Sequence, residues 1–420
     1  MRLLYTLLLA LVSPIFLYSL YKKKQGKPSF GVRWKELWGI TPTIQGKKPI
    51  WIHAVSVGES IAAIPVIKAL KKAQPTQDII VTTTTATGAE QIAKLGDLVE
   101  HRFMPLDFSW CVRRFIHTVQ PSQLLIVETE LWPNTLKTVH QSGIPITIIN
   151  ARLSERSCVR YQQWRAFFNL IKPYIDRILC QYQSDAERFI RLGFAASQVQ
   201  VTGSVKFDIE IPPSVQQTSI ELKQQFSDRP VWIAASTHEG EDSIVLDAHR
   251  QLLEQFPSAL LILVPRHPER FTPVFELCTK QGFTTQRRTD NTSVEQNCQV
   301  YLGDTMGEML ILLGAADICF MGGSLVGDKV GGHNLLEPAA LGKPLLNGPS
   351  YFNFSEIVQM LQESDAVSIC NNSQEMAKTL KQQFTNSELM NKQGKLALQV
   401  VEQNRGAIEK TVSAVLPVMN

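Results

Sequence analysis

PIWIHAVSVGES (49–60) is a proline-led apolar run that passes through a small glycine-containing loop into Ile61, Ile64, Ile67 and Leu70 at helical spacing. A short continuous apolar run followed by helical periodicity reads as a buried strand turning into a helix. The same pattern restarts at PVWIAAS (230–236), again proline-led and again running into a small polar loop. Working outward from the first, further strands are expected at 78–83, 123–127, 144–149 and 177–181, with amphipathic stretches between them. From the second, LLILVPRHPERF (260–271) and ADICFMGGS (316–324) supply two more strand-to-loop junctions. Strands alternating with helices specify an α/β fold with a parallel sheet, and the restart specifies two similar Rossmann-like halves. Ligands of such sheets bind beyond the carboxyl ends of the strands.

A chain of 420 residues suits two domains of this kind. The polar segment around 208–230, with Pro212-Pro213, is where the pattern lapses. The expected organisation is therefore an anchor over 1–21, a basic segment over 22–48, a first domain over 49–211, a linker over 212–229 and a second domain over 230–420. Residues 3–21 carry no charge and are about long enough to span a bilayer core. Lys22, Lys23, Lys24 and Lys27 follow directly, which places the body on the cytoplasmic side. A cleaved secretory signal would carry its positive charge before the apolar run and end in small residues. Pro14 leaves open a helix that is kinked or embedded without crossing. The seven cysteines are scattered, odd in number and never spaced CxxC, which argues against a disulfide framework or a structural zinc site. A net charge of +4 does not by itself point to nucleic acid, and no nucleic-acid recognition motif is present.

The candidate functional residues fall at strand ends. Glu59 stands where a helix begins, placed to take a proton from a hydroxyl. Ser56-x-x-Glu59 is equally a capping box, and spacing does not choose between the two. ETELWPN (128–134) puts Glu128 and Glu130 at the end of the strand 123–127, alternate positions on one side of an extended backbone. Two carboxylates there need cations, with Arg152 and Lys206 available, or a chemical task. The stretch 150–173 mixes Arg152, Arg156, Arg160 and Arg165 with Tyr161, Trp164, Phe167 and Phe168, a basic aromatic helix suited to anionic headgroups or simply solvated on one face. Lys206 in VTGSVKFD (201–208) and Arg266 in PRHPERF (265–271) are candidates for a phosphate, with His267 read as structural. GDTMGEM (303–309) and MGGSLVGDKVGGHNLLEPAALGKP (321–344) are glycine-rich, with a helix expected from about Asn334. Glu337, one turn in, is placed for ribose hydroxyls or for a second capping box. The loop is neither a Walker A motif nor a GxGxxG after the first strand, and no metal motif appears.

Taken in order, HAVSVGES, ETELWPN, NARLS, TGSVKFD, STHEGED, LVPRHPERF, GDTMGE and GGSL…GGHNLLEPA closely resemble the 3-deoxy-D-manno-octulosonic acid (Kdo) transferases of Gram-negative bacteria. The resemblance runs from the apolar N-terminus to about residue 360. It implies a GT-B fold, with an acceptor-binding first domain, a CMP-sugar-binding second domain and a last helix packing back on the first. It implies CMP-Kdo as donor, a lipid A precursor as acceptor, inversion, no metal or other cofactor, and a place at the inner membrane among its lipids. By the same resemblance Glu59 is the proton acceptor, and Glu128 and Lys206 stabilise the transition state. The CMP contacts are Pro265, Arg266, Met306, Gly307, Glu308, Asn334, Leu335, Leu336 and Glu337. The alternatives are another two-domain transferase or epimerase using a UDP-sugar, or a membrane-tethered two-lobed binding protein.

Overall fold

A computed structural model describes residues 2–21, 31–44, 46 and 48–416, with backbone only for 15–21, Val32 and Phe167. The chain divides into two compact units, one of residues 1–208 and 405–420, the other of residues 209–404.

The first unit carries a seven-stranded parallel sheet. Its strands are β1 (Ile50–His53), β2 (Ile79–Thr83), β3 (Glu100–Phe103), β4 (Gln123–Val127), β5 (Ile146–Ala151), β6 (Arg177–Cys180) and β7 (Val199–Val201). They lie in the order β3-β2-β1-β4-β5-β6-β7. Successive side chains on a strand point to opposite faces, so β1 sends Ile50 and Ile52 into one core layer and Trp51 into the other. Both layers are buried under helices, which is why β1 reads as continuously apolar. The order reverses between β1 and β4, and that reversal opens a crevice at their carboxyl ends.

The second unit repeats the plan with β8 (Val231–Thr237), β9 (Leu260–Pro265), β10 (Thr285–Arg287), β11 (Val300–Leu302), β12 (Ile318–Met321), β13 (Leu345–Asn347) and β14 (Val367–Ile369). Their order is β10-β11-β9-β8-β12-β13-β14, all parallel, with the reversal between β8 and β12. All seven cysteines are free and buried, packed as small apolar side chains.

Three expectations need correction. Residues 212–229 are not a linker. Pro212-Pro213 opens the helix Pro213–Gln225 instead of breaking the chain, because the first helical position needs no N–H. Leu222 and Phe226 are buried, and Lys223 pairs with Asp317 at 2.7 Å, so this helix is part of the second unit. Second, the second domain ends at 404 and not at 420, because the final residues join the first unit, the packing that the resemblance implies for the last helix. The helix Ala407–Val415 sits in the core layer of Ile67 and Leu70, and the Asp208 carboxylate accepts from the amides of Gly406 and Ile408, both at 2.6 Å. Asp208→Ala is expected to cost about 1–2 kcal/mol locally. Hydrogen exchange should then quicken across 406–415 and stay unchanged in β8 and β9. Unchanged exchange at 406–415 would show that the cap does not hold the helix.

Third, the expected anchor forms a helix, Arg2–Tyr21, but not as a free rod. Among the described residues no helix is long and apolar enough to cross a membrane. On one flank the Tyr5 hydroxyl donates to Asp107 at 2.8 Å and Asn134 donates to the Thr6 hydroxyl at 3.1 Å. Those bonds tie the helix to the body. Leu3, Leu4, Leu7, Leu8, Leu11 and Val12 are left exposed as one apolar stripe. Lys22, Lys23, Lys24 and Lys27 lie outside the described residues.

Candidate active site

In the first unit, candidate side chains gather at the carboxyl ends of β1 and β4, where the strand order reverses. The helix Val57–Ala73 starts directly after β1, with Ser56 as its cap. The Glu59 amide donates to Ser56 Oγ at 3.2 Å, and Glu59 Oε2 accepts from the Val55 amide at 2.7 Å. Ser56 Oγ also donates to Glu59 Oε1 at 2.8 Å. Ser56 thus caps the helix, while Glu59 reaches the Val55 amide in place of the Ser56 amide that a full capping box would use, and Glu59 is only 7% exposed. A carboxylate has about four lone-pair sites, so two accepted bonds leave capacity on each oxygen.

Glu128 does not continue β4. The strand ends at Val127, and Glu128 adopts a left-handed φ of 61°, so strand alternation does not set its direction. Left-handed backbone at a non-glycine residue is the kind of local strain that marks functional positions. Burial and the negative charge of Glu59 raise the Glu128 carboxyl above the ordinary carboxylate range, and Glu130 adds to this, while Lys206 and Arg152 draw it down. Burial and then Glu59 raise Glu130 likewise, opposed by its bond from Trp132. The charges of Glu59, Glu130 and Lys206 therefore all act on Glu128, so these four side chains share one electrostatic field. His53, at the end of β1, was not singled out from sequence. It is fully buried, which holds its imidazole down to about 4 and therefore neutral, with Trp132 edge-on at 5.5 Å.

The expected basic aromatic helix is broken into Glu155–Gln163 and Arg165–Phe168, divided at Trp164. Arg156, Arg160, Arg165 and Trp164 are exposed, whereas Tyr161 packs on Phe168 at 5.1 Å.

In the second unit the corresponding place is where β8 and β12 diverge. Glu241 is 0% exposed and accepts four amides: His238 at 2.8 Å, Gly323 at 2.6 Å, Ser324 at 2.9 Å and Leu325 at 2.8 Å. A carboxylate of the helix Glu241–Leu253 thus fixes the glycine-rich loop that follows β12. Gly322 is required there, because a Cβ would come within 2.6 Å of the Ser236 carbonyl. Beside this loop, His238 and His333 meet Nε2 to Nε2 at 2.8 Å.

The expected nucleotide residues fall into two groups. Burial raises the Glu337 carboxyl above the ordinary carboxylate range, and Arg266, which follows β9, draws it only partly back. The helix expected from Asn334 begins at Leu336 and runs only to Ala340. Asn334 Oδ1 accepts from the Leu336 amide at 3.1 Å, so the Asn334–Glu337 capping box does not form. Leu335 and Leu336 are fully buried, which leaves only their backbone to meet a ligand. The second group borders a cavity of about 460 Å³ lined by Met306 and Glu308 together with Arg288, Thr289 and Asp304. Arg288 grips Glu308 with two bonds of 3.1 Å and holds its carboxyl below the ordinary range. Arg288 was not legible as a site residue, since nothing around it in sequence marks it. Among the described residues no three His, Cys, Asp or Glu side chains are grouped to hold a metal ion.

Residues 32–209 match the family model described as 3-Deoxy-D-manno-octulosonic-acid transferase (kdotransferase). The 3-deoxy-D-manno-octulosonic acid transferase of Haemophilus influenzae is 39% identical over 421 residues, 99% of this chain and 98% of that protein. The enzyme of the same name from Bordetella pertussis is 35% identical over 73% of each chain. Among solved structures, the UDP-GlcNAc 2-epimerase of Neisseria meningitidis superposes with a TM-score of 0.58 at 16% identity, covering 88% of this chain and 100% of that one, a likeness of fold alone. With two doubly wound parallel sheets and a likeness to the Haemophilus enzyme along its whole length, the chain belongs to the 3-deoxy-D-manno-octulosonic acid transferase family.

Proposed function

We propose that this chain is an inverting glycosyltransferase that moves Kdo from CMP-Kdo onto a lipid A precursor, releasing CMP, in assembly of the lipopolysaccharide inner core. The observation that carries the reading is the convergence of Glu59, Glu128 and Lys206 on one field at the first sheet's reversal, in a chain so similar to the Haemophilus transferase. Glu59 removes the proton of the acceptor hydroxyl as that oxygen attacks the anomeric carbon. Glu128 and Lys206 stabilise the oxocarbenium-like transition state and the charge that develops beside it. In the donor unit, Pro265, Arg266, Met306, Gly307, Glu308 and the Asn334–Glu337 segment receive CMP. These groups supply the required charge stabilisation without a metal ion.

The acceptor is a lipid, and the exposed leucine stripe of the helix Arg2–Tyr21 supports a place at the inner membrane. A helix bonded along one flank to the body suits burial in the plane of the interface. The exposed Arg156, Arg160, Arg165 and Trp164 suit anionic headgroups, and the lysines after the helix favour the cytoplasmic face.

The test is mass analysis after incubating purified protein with lipid A precursor and CMP-Kdo. Addition of one or more Kdo units with release of CMP is expected, and the product mass counts the units. Absence of product, or turnover with a UDP-sugar in its place, overturns the reading.

A further inference from the structure

His238 and His333 are 95 positions apart in sequence, yet their rings meet nitrogen to nitrogen at 2.8 Å. The ring planes are 14° from parallel with centroids 5.0 Å apart. With the two nitrogens in contact, that geometry is an in-line N–H···N bond and not a face-to-face stack. Such a pair has strict proton arithmetic. One ring donates from Nε2 and the other accepts, so a single added proton fits on the donating ring's Nδ1 without breaking the bond. A second added proton would set two N–H groups head to head. The pair therefore holds one extra proton, and holding it turns the link into a charge-assisted bond.

The surroundings decide when that proton is taken. The charged and titratable groups facing the pair are Glu241 at the start of its helix, and Arg266, His267 and Arg270 from the segment after β9. His267 lies edge-on to His238 at 5.5 Å. Glu241 is already engaged by four amides, and Arg270 donates to the Thr237 carbonyl and to Asp242. Burial, the partner ring and Arg266 hold His333 down to about 4, and burial first of all lowers His238. At neutral pH the resting pair is uncharged. An anion bound at Arg266 opposes this lowering, because it neutralises the guanidinium and adds negative charge of its own.

We propose that the His238–His333 pair is a proton-taking clamp for the phosphate of the sugar nucleotide, in a site flanked by Arg266 and the glycine-rich loop. The inference rests on the CMP-sugar reading above and goes beyond it by assigning two residues to the leaving group. On donor binding the pair draws one proton from solvent. When the bond between the anomeric carbon and the phosphate oxygen breaks, its electron pair goes to that oxygen, so CMP departs one negative charge richer. The imidazolium faces that charge, while the acceptor's proton goes to Glu59. The pair returns its proton to solvent as CMP leaves.

Titration calorimetry of the full chain with CMP and with cytidine, in buffers of different ionisation enthalpy, counts the protons. Net uptake is expected with CMP, growing as pH falls from about 8 to about 6.5. None is expected with cytidine, which lacks the phosphate. A phosphate seated among cations tends to lose its own proton, so uptake cannot come from the nucleotide. His238→Asn and His333→Asn should abolish the uptake. CMP binding without uptake, equal uptake with cytidine, or undiminished uptake in folded variants overturns the clamp. Absence of any CMP binding instead removes the donor reading, and the clamp with it. If the variants do not fold, the contrast between CMP and cytidine in the unaltered protein still decides.

Discussion

Glu59→Gln is expected to lower the rate of Kdo transfer by about 10²–10⁴-fold, the usual worth of a general base, with CMP binding and stability unchanged. The substitution separates the proposed role of Glu59 as a base from its observed bonds at the helix start. As a cap, Glu59 accepts from the Val55 amide and the Ser56 hydroxyl. A glutamine keeps a carbonyl oxygen for Val55, and its amide nitrogen can donate to a Ser56 hydroxyl that turns to accept. What it cannot do is hold a proton. Glu59→Ala should lose transfer equally and in addition about 1 kcal/mol of capping stability. The pair of variants is read by single-turnover transfer and by thermal unfolding. Near-normal turnover by Glu59→Gln would leave Glu59 a helix cap and nothing more. Base and cap are physically compatible, because the two bonds Glu59 accepts use only half of the carboxylate's accepting sites.

Much of this site was legible because its chemistry is local in sequence. Glu59 and its cap are three residues apart, and Glu128 follows an interior strand whose apolar run announces where it ends. The interior strands around Trp51 and Trp232 were legible for the same reason, being buried on both faces. The edges were not. β3 reads EHRF and β10 reads TQR, short and only partly buried, so no apolar run marks them. Pro212-Pro213 misled because a proline pair signals a break and a helix start alike, and only the burial of Leu222 and Phe226 distinguishes them. The N-terminal helix was legible as apolar, but its attachment was not, since Asp107 lies 102 positions from Tyr5. The histidine pair was hidden for the same reason. STHEGED (236–242) offers three acidic residues, of which Glu241 and Asp242 are buried, and nothing local says which one holds the loop after β12.

Glu241 is the one, and Glu241→Gln is expected to impair CMP binding severely while costing the second unit about 3–5 kcal/mol, given the worth of hydrogen bonds to a charged acceptor. Four amides converge on its two oxygens. Glutamine presents one oxygen, and its NH₂ would face amides that also donate. At least one buried N–H is then left without a partner, and the loss of charge weakens the rest. Shortening to aspartate moves the carboxylate away by one methylene and should rescue little. The effect on binding follows from what the amides belong to. Gly323, Ser324 and Leu325 form the loop after β12, and the His238 amide fixes the turn that brings His238 to His333. Releasing them unpins both walls of the proposed phosphate site together. Hydrogen exchange should quicken at 323–325 and 238 first, and CMP affinity should fall by more than the loss of folded protein explains. A Glu241→Gln protein that binds CMP as tightly as the unaltered chain would show that the loop holds its shape without this carboxylate. The donor half would then owe its geometry to its glycines alone.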